Sequence, residues 1–136
     1  MAVMNDFIPV LQLKNLIIKY NVTDHWIDAE WIGKQNFNTV TSGCEIMLEA
    51  LKEFKCVKVF NDNTLVTGTW SEASEWGAAD WFPRMEQAGL RYFAWVYSKD
   101  YYSQMSTDKT LVLFKNTIIY TFSEKESAFS WLRSHH

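Results

Sequence analysis

Hydrophobic periodicity changes several times along the chain, and each change marks a new element. Leu16-Ile17-Ile18-Lys19-Tyr20 is rich in β-favouring side chains and runs into a turn-forming cluster, Asn21-Val22-Thr23-Asp24. From His25 to Ile32, the apolar residues Ile27, Ala29 and Trp31 alternate with Asp28 and Glu30. That period of two predicts a strand with one wet face, so the two runs form a hairpin, expected at a sheet edge. Gly33 to Asn38 is a polar loop. From Thr39, Val40, Cys44, Met47, Leu51 and Phe54 fall on one stripe at helical spacing, and Lys52 and Lys55 fall in the last turn, where they suit the helix dipole.

The run from Val57 to Phe60 predicts an inner strand that ends in a polar knot, Asn61-Asp62-Asn63-Thr64. A helix then starts between Thr69 and Ser71. Thr69 with Glu72 has capping-box spacing, with Ser71 as the alternative N-cap. Ala78, Trp81, Met85 and Ala88 give that helix an apolar stripe. Pro83 predicts a kink or a fresh start near Phe82, and Gly89 closes the helix.

Leu90 to Tyr97 is apolar on both alternating faces after Arg91, the pattern of a central strand parallel to the Val57 strand. Ser98 is the candidate cap of a short helix through Tyr101, Tyr102 and Met105. Thr117 to Phe122 is a last strand. Ser123 with Glu126 then forms a second capping box ahead of Ala128, Phe129, Trp131 and Leu132. The order β, β, α, β, α, β, α, β, α predicts an α/β fold: a mixed, mostly parallel sheet of about five strands with an N-terminal antiparallel hairpin and about four helices.

Composition narrows the function classes. Residues 1–136 suit one domain, and a chain of this length buries roughly two thirds of its unfolded surface. With 48% apolar and 21% charged residues it is not a disordered chain. The net charge of −3, with no basic block, argues against a nucleic-acid partner. No apolar run approaches the roughly 20 residues of a membrane span, and no basic segment followed by an apolar one opens the chain. A cytoplasmic location is the default expectation, with Cys44 and Cys56 as buried reduced thiols.

Candidate chemistry is sparse. His25 is the one internal histidine, so neither a metal cluster nor a Ser-His-Asp or Cys-His arrangement is expected. The glycines are too scattered for a nucleotide-binding loop. No catalytic residue, metal or cofactor is assigned. Two groups remain. Asn61, Asp62 and Asn63 lie at the expected end of the inner strand, where ligands of open α/β sheets bind. Trp70, Trp76, Trp81, Phe82, Tyr101 and Tyr102 flank that end, in a chain with seven Trp, six Tyr and nine Phe. Any of them left exposed would mark a dimer contact, an apolar ligand groove or a surface for peripheral membrane contact.

Several longer runs carry a resemblance: Asn61-Asp62-Asn63-Thr64, Gly68-Thr69-Trp70-Ser71, Trp81-Phe82-Pro83-Arg84-Met85, Ala88-Gly89-Leu90, Phe93-Ala94-Trp95 and Ser103-Gln104-Met105-Ser106-Thr107-Asp108. With these, the chain resembles, nearly end to end, the SpoIIAA-like family of small bacterial STAS-type proteins. The resemblance implies a SpoIIAA-like (STAS) fold with helices mostly on one side of a mixed sheet. It also implies two functional themes. Anti-anti-sigma members are switched by phosphorylation of a serine that follows an aspartate. Here the nearest position is Ser71, preceded by Trp70, and the glycine turn after the serine is missing. The second theme is kinship with Sec14-type lipid carriers.

The function expected is a non-enzymatic binding or regulatory domain. It holds an apolar or amphipathic small ligand, or a protein partner, with Asn61, Asp62, Asn63, Trp70, Trp76, Trp81, Tyr101, Tyr102 and Met105 around it. The alternative is a phosphorylation-controlled interaction module using Ser71 or Thr64.

Overall fold

The computed structural model describes residues 6–136. Six strands lie side by side in chain order: β1 (Phe7–Gln12), β2 (Leu16–Asn21), β3 (Trp26–Lys34), β4 (Lys58–Thr67), β5 (Tyr92–Val96) and β6 (Ile119–Phe122). The first three form an antiparallel meander, and β3 through β6 are parallel. The sheet is therefore mixed, as the alternation of strands and helices predicts.

One strand escapes the hydrophobic pattern. β1 pairs outside β2, so the β2–β3 hairpin is internal and not at the edge. Pro9 sits in β1 beside a register shift between Pro9 and Leu11, a combination that an edge strand tolerates because one side of it needs no ladder partner. His25 belongs to the β2–β3 turn, with φ of 58°, and β3 starts at Trp26.

Helix α1 (Phe37–Glu53) lays its predicted stripe on the sheet: Cys44, Met47 and Leu51 are buried, while Val40 and Phe54 are partly so. Asn36 starts it through a capping box with Thr39. The second helical segment is composite. It runs through a 3-10 turn (Ser71–Ala73), α2 (Ser74–Trp76), a π turn (Gly77–Trp81) and α3 (Phe82–Gln87). The irregularity expected near Pro83 lies one turn earlier, because Pro83 has no N–H to return to the preceding turn. The Phe82 N–H reaches back five residues to the Gly77 carbonyl instead. At the other end Gly89, with φ of 114°, closes a Schellman motif: its N–H donates to Glu86 O and that of Leu90 to Met85 O.

Three caps differ from expectation. Thr69 makes no box with Glu72; its Oγ1 accepts the Ser71 N–H. Asp100, not Ser98, caps α4 (Tyr101–Leu113), accepting from the N–H groups of Tyr102 and Ser103. α4 also runs well beyond Met105. Glu124 precedes α5 (Lys125–Arg133), and no Ser123 box forms.

The sheet separates two apolar cores. The larger unites Ile27, Ala29, Trp31, Val59, Phe93 and Trp95 with α1 and the composite helix. The smaller unites Trp26, Phe60, Ala94 and Val96 with Ala128 and Leu132 of α5. Alternate residues of β5 serve opposite cores, which accounts for its two apolar faces. Cys44 and Cys56 are buried and unpaired.

Candidate functional site

The inner strand does not end at Asn61; β4 continues to Thr67 and carries the polar knot inside the sheet. Against β3, Glu30 pairs with Asp62 and Ile32 with Leu65, so β4 spends three residues where β3 spends two. This is a β-bulge, and it reverses the side-chain alternation beyond it. Asn61, Asn63 and Val66 therefore all face the larger core, where they line one recess.

That recess opens to solvent, offers about 50 Å³ of free volume and is walled by Trp31 of β3, Trp95 of β5, Cys44 of α1, Trp70, Trp76 and Trp81. The polar side chains on its wall are tied into the fold. Trp31 Nε1 donates to Asn61 Oδ1 at 2.9 Å, and Asn61 Nδ2 donates to Asn63 Oδ1 at 3.2 Å. Trp70 Nε1 donates to Ser103 Oγ, and Trp81 Nε1 to Cys44 O. Trp95 stacks against Trp70 with ring centroids 6.0 Å apart. Its Nε1 is buried and has no partner among the described residues.

Comparison with known proteins bears on the fold. A solved structure of an uncharacterised protein of the DUF3478 family from Shewanella loihica PV-4, described as having a SpoIIAA-like fold, is similar with a TM-score of 0.55. The two share 14% sequence identity over 97% of this chain and 99% of that one. This chain has the SpoIIAA-like fold. No protein-family model and no curated protein matches it.

Within that SpoIIAA-like sheet the expected site residues divide. Asn61, Asn63, Trp70, Trp76 and Trp81 come together at the recess. Asp62 does not: the strand turns it to the opposite face, where Oδ1 accepts the Thr64 N–H and Oδ2 lies 3.3 Å from Lys125 Nζ. Asp28 stands nearby on β3. Burial pushes its carboxyl up to about 6, with Asp62 and Glu30 adding to the rise and Lys19 and Lys125 opposing it.

Tyr101, Tyr102 and Met105 also lie outside the recess, on the solvent side of α4 and at least half exposed. The inner side of α4 is Ser103, Ser106, Thr107 and Thr110. Its pattern is inverted, with hydroxyls inside and rings outside, so an amphiphile bracketed by the composite helix and these tyrosines has no such slot. Trp31, Cys44 and Trp95 were missed as wall residues. The alternation in β3 and β5 puts Trp31 and Trp95 on the same face as Asn61, a signal present in the sequence once the strand register is known.

Of the two phosphoacceptor candidates, Ser71 opens the 3-10 turn, half-buried, with Lys109 Nζ 3.2 Å from its carbonyl oxygen. Thr64 lies in the bulge and donates its hydroxyl proton to Asp62. Among the described residues, no three His, Cys, Asp or Glu side chains gather as metal ligands, and no helix is long and apolar enough to cross a membrane.

Proposed function

We propose that this protein is a non-enzymatic binding domain whose indole-walled recess holds a small apolar or amphipathic ligand. One observation carries the reading: a recess walled mainly by aromatic and aliphatic side chains, one of which, Trp95, has a buried indole N–H with no partner among the described residues. Ligand sites of small molecules have this makeup, apolar with a few placed polar groups. Solvent extraction and mass spectrometry of protein purified from its native source test it. The expected result is a stoichiometric small amphiphile. No extractable ligand, together with indole fluorescence that stays unchanged on adding apolar compounds, would remove the reading.

A protein partner is the competing occupant, favoured by the exposed side of α4, where Tyr101, Tyr102, Met105, Val112 and Leu113 face solvent. Light scattering distinguishes self-association through that side from a monomer. The phosphorylation-controlled alternative draws its support from Ser71 and the adjacent Lys109. A phosphate on Thr64 would instead meet the Asp62 carboxylate. A phosphoprotein mass shift that vanishes in Ser71→Ala would favour the switch.

A further inference from the structure

Helix α4 is laid on the molecule back to front, and its outer side has the makeup of a protein interface. Ser103, Ser106, Thr107 and Thr110 face inward and are buried. The side chains left outside fall in two rows at helical spacing, Tyr101-Met105-Asp108-Val112 and Tyr102-Met105-Lys109-Leu113. Tyr101, Tyr102 and Val112 are 65%, 63% and 67% exposed, and Met105 and Leu113 50% and 49%. An amphipathic helix ordinarily turns its apolar stripe to the core. Here hydroxyls hold the core side, and five large apolar side chains stay in water.

At about 150–250 Å² for a whole aromatic side chain and somewhat less for the others, these five expose on the order of 500 Å² per copy. That matches the largest apolar patch of an ordinary monomer, about 300–600 Å². A standard interface covers about 800 Å² on each partner, a size the patch approaches once the stems of Asp108 and Lys109 are included.

The charges choose the occupant. Asp108 and Lys109 are the two charged residues of α4, adjacent, opposite in sign and near the middle of the stripe. Asp108 Oδ1 accepts the Tyr97 hydroxyl, and Lys109 Nζ donates to the Ser71 carbonyl at 3.2 Å, leaving the other carboxylate oxygen and two ammonium protons for a partner. Two copies of α4 laid antiparallel across a two-fold axis near these residues place Asp108 of each opposite Lys109 of the other. The tyrosines at the start of one helix then lie against Val112 and Leu113 at the end of the other. Such a contact is self-complementary, as a two-fold interface requires, whereas parallel helices would set like charges together. A membrane surface fits less well, because helices that lie on lipid carry several Lys and Arg along a wet polar side. α4 has one Lys, and its polar side is buried.

We infer that this protein forms a two-fold dimer through the outer face of α4, the helices antiparallel, with Asp108 and Lys109 paired across the axis. The inference names a second copy as the partner at this face and stands whether or not the recess holds a ligand.

Light scattering of the full chain at about 200 μM, above the micromolar dissociation constant of a modest interface, should read close to twice the chain mass. Val112→Glu puts a carboxylate into the apolar row and should weaken the dimer at least about 10-fold, with the circular dichroism spectrum unchanged. Met105→Glu serves the same purpose should Val112→Glu not fold. Asp108→Lys and Lys109→Asp should each weaken it about 10-fold by setting like charges face to face. Mixed in equal amounts, these two variants should regain a dimer of nearly parental strength, since every pair across the axis is again opposite in sign. A chain that stays monomeric at about 200 μM would overturn the inference, and cosedimentation of that monomer with phosphatidylcholine vesicles would reassign the face to a membrane. A dimer that the folded Glu variants leave undiminished, or charge variants whose mixture stays monomeric, would overturn it as well.

Discussion

Gly43 shows how one missing methyl group lets α1 settle against β2 and β3. A Cβ there would lie 2.4 Å from Leu16 Cδ2 and 2.6 Å from the Trp31 ring. In an open helix, Gly→Ala would gain about 1 kcal/mol from propensity. Here the crowding outweighs it, and Gly43→Ala should lower stability by about 1–2 kcal/mol, read as a fall in the urea midpoint. Trp31 would shift with it, since that indole has little free space on its α1 side. Asp28 makes the converse case on the far face of the sheet. Its folded pKa, about 6, exceeds the unfolded value of roughly 3.9. The native state therefore holds the proton more firmly between those values, and stability falls as pH rises through that window. Asp28→Asn should be more stable than the parent at pH 7.5, by on the order of 1–2 kcal/mol, with the gain disappearing near pH 4. Urea titrations at both pH values check the sign.

Elements differ in how openly their sequences declare them. α1 keeps its apolar stripe on the core, so periodicity alone locates it. The same logic fails for α4, whose buried side is Ser103, Ser106, Thr107 and Thr110 and whose rings point outward. Small hydroxyl residues let it approach the composite helix and trade hydrogen bonds with it. Ser106 is the hub: its Oγ accepts the Trp70 N–H at 3.0 Å, and its carbonyl accepts the hydroxyls of Ser74 and Thr110. Ser106→Ala should leave the buried Trp70 N–H unpaired and cost about 1–3 kcal/mol, with a shift in indole emission. β1 was hidden for another reason. Pro9 reads as a strand breaker, and only its place at the sheet edge makes it harmless.

On the scale of the whole molecule, the sheet keeps two apolar cores apart, and the recess belongs to one of them. Leu132 of α5 is fully buried in the other. Leu132→Ala should therefore cost about 2–4 kcal/mol of stability, by calorimetry or urea titration, yet leave the binding of apolar compounds at the recess unchanged below the unfolding transition. Coupled loss of both would mean that the two faces act as one unit.

Period and turn residues are local properties, and the chain alone determined the α/β order from β2 onward, the parallel inner strands, the α1 stripe and the Gly89 stop. Asn61, Asn63 and three of the indoles could also be named beforehand, because polar residues beside aromatic ones are visible in one dimension. Which face each side chain takes was decided only in three dimensions. Simple alternation along β4 turns Asp62 away from Asn61 and Asn63, but the bulge opposite Trp31 that brings Val66 back to the recess side exists only through the pairing of β4 with β3. Strand register and helix docking are relations between segments distant in sequence, so the energy that selects them appears only once both partners are in place.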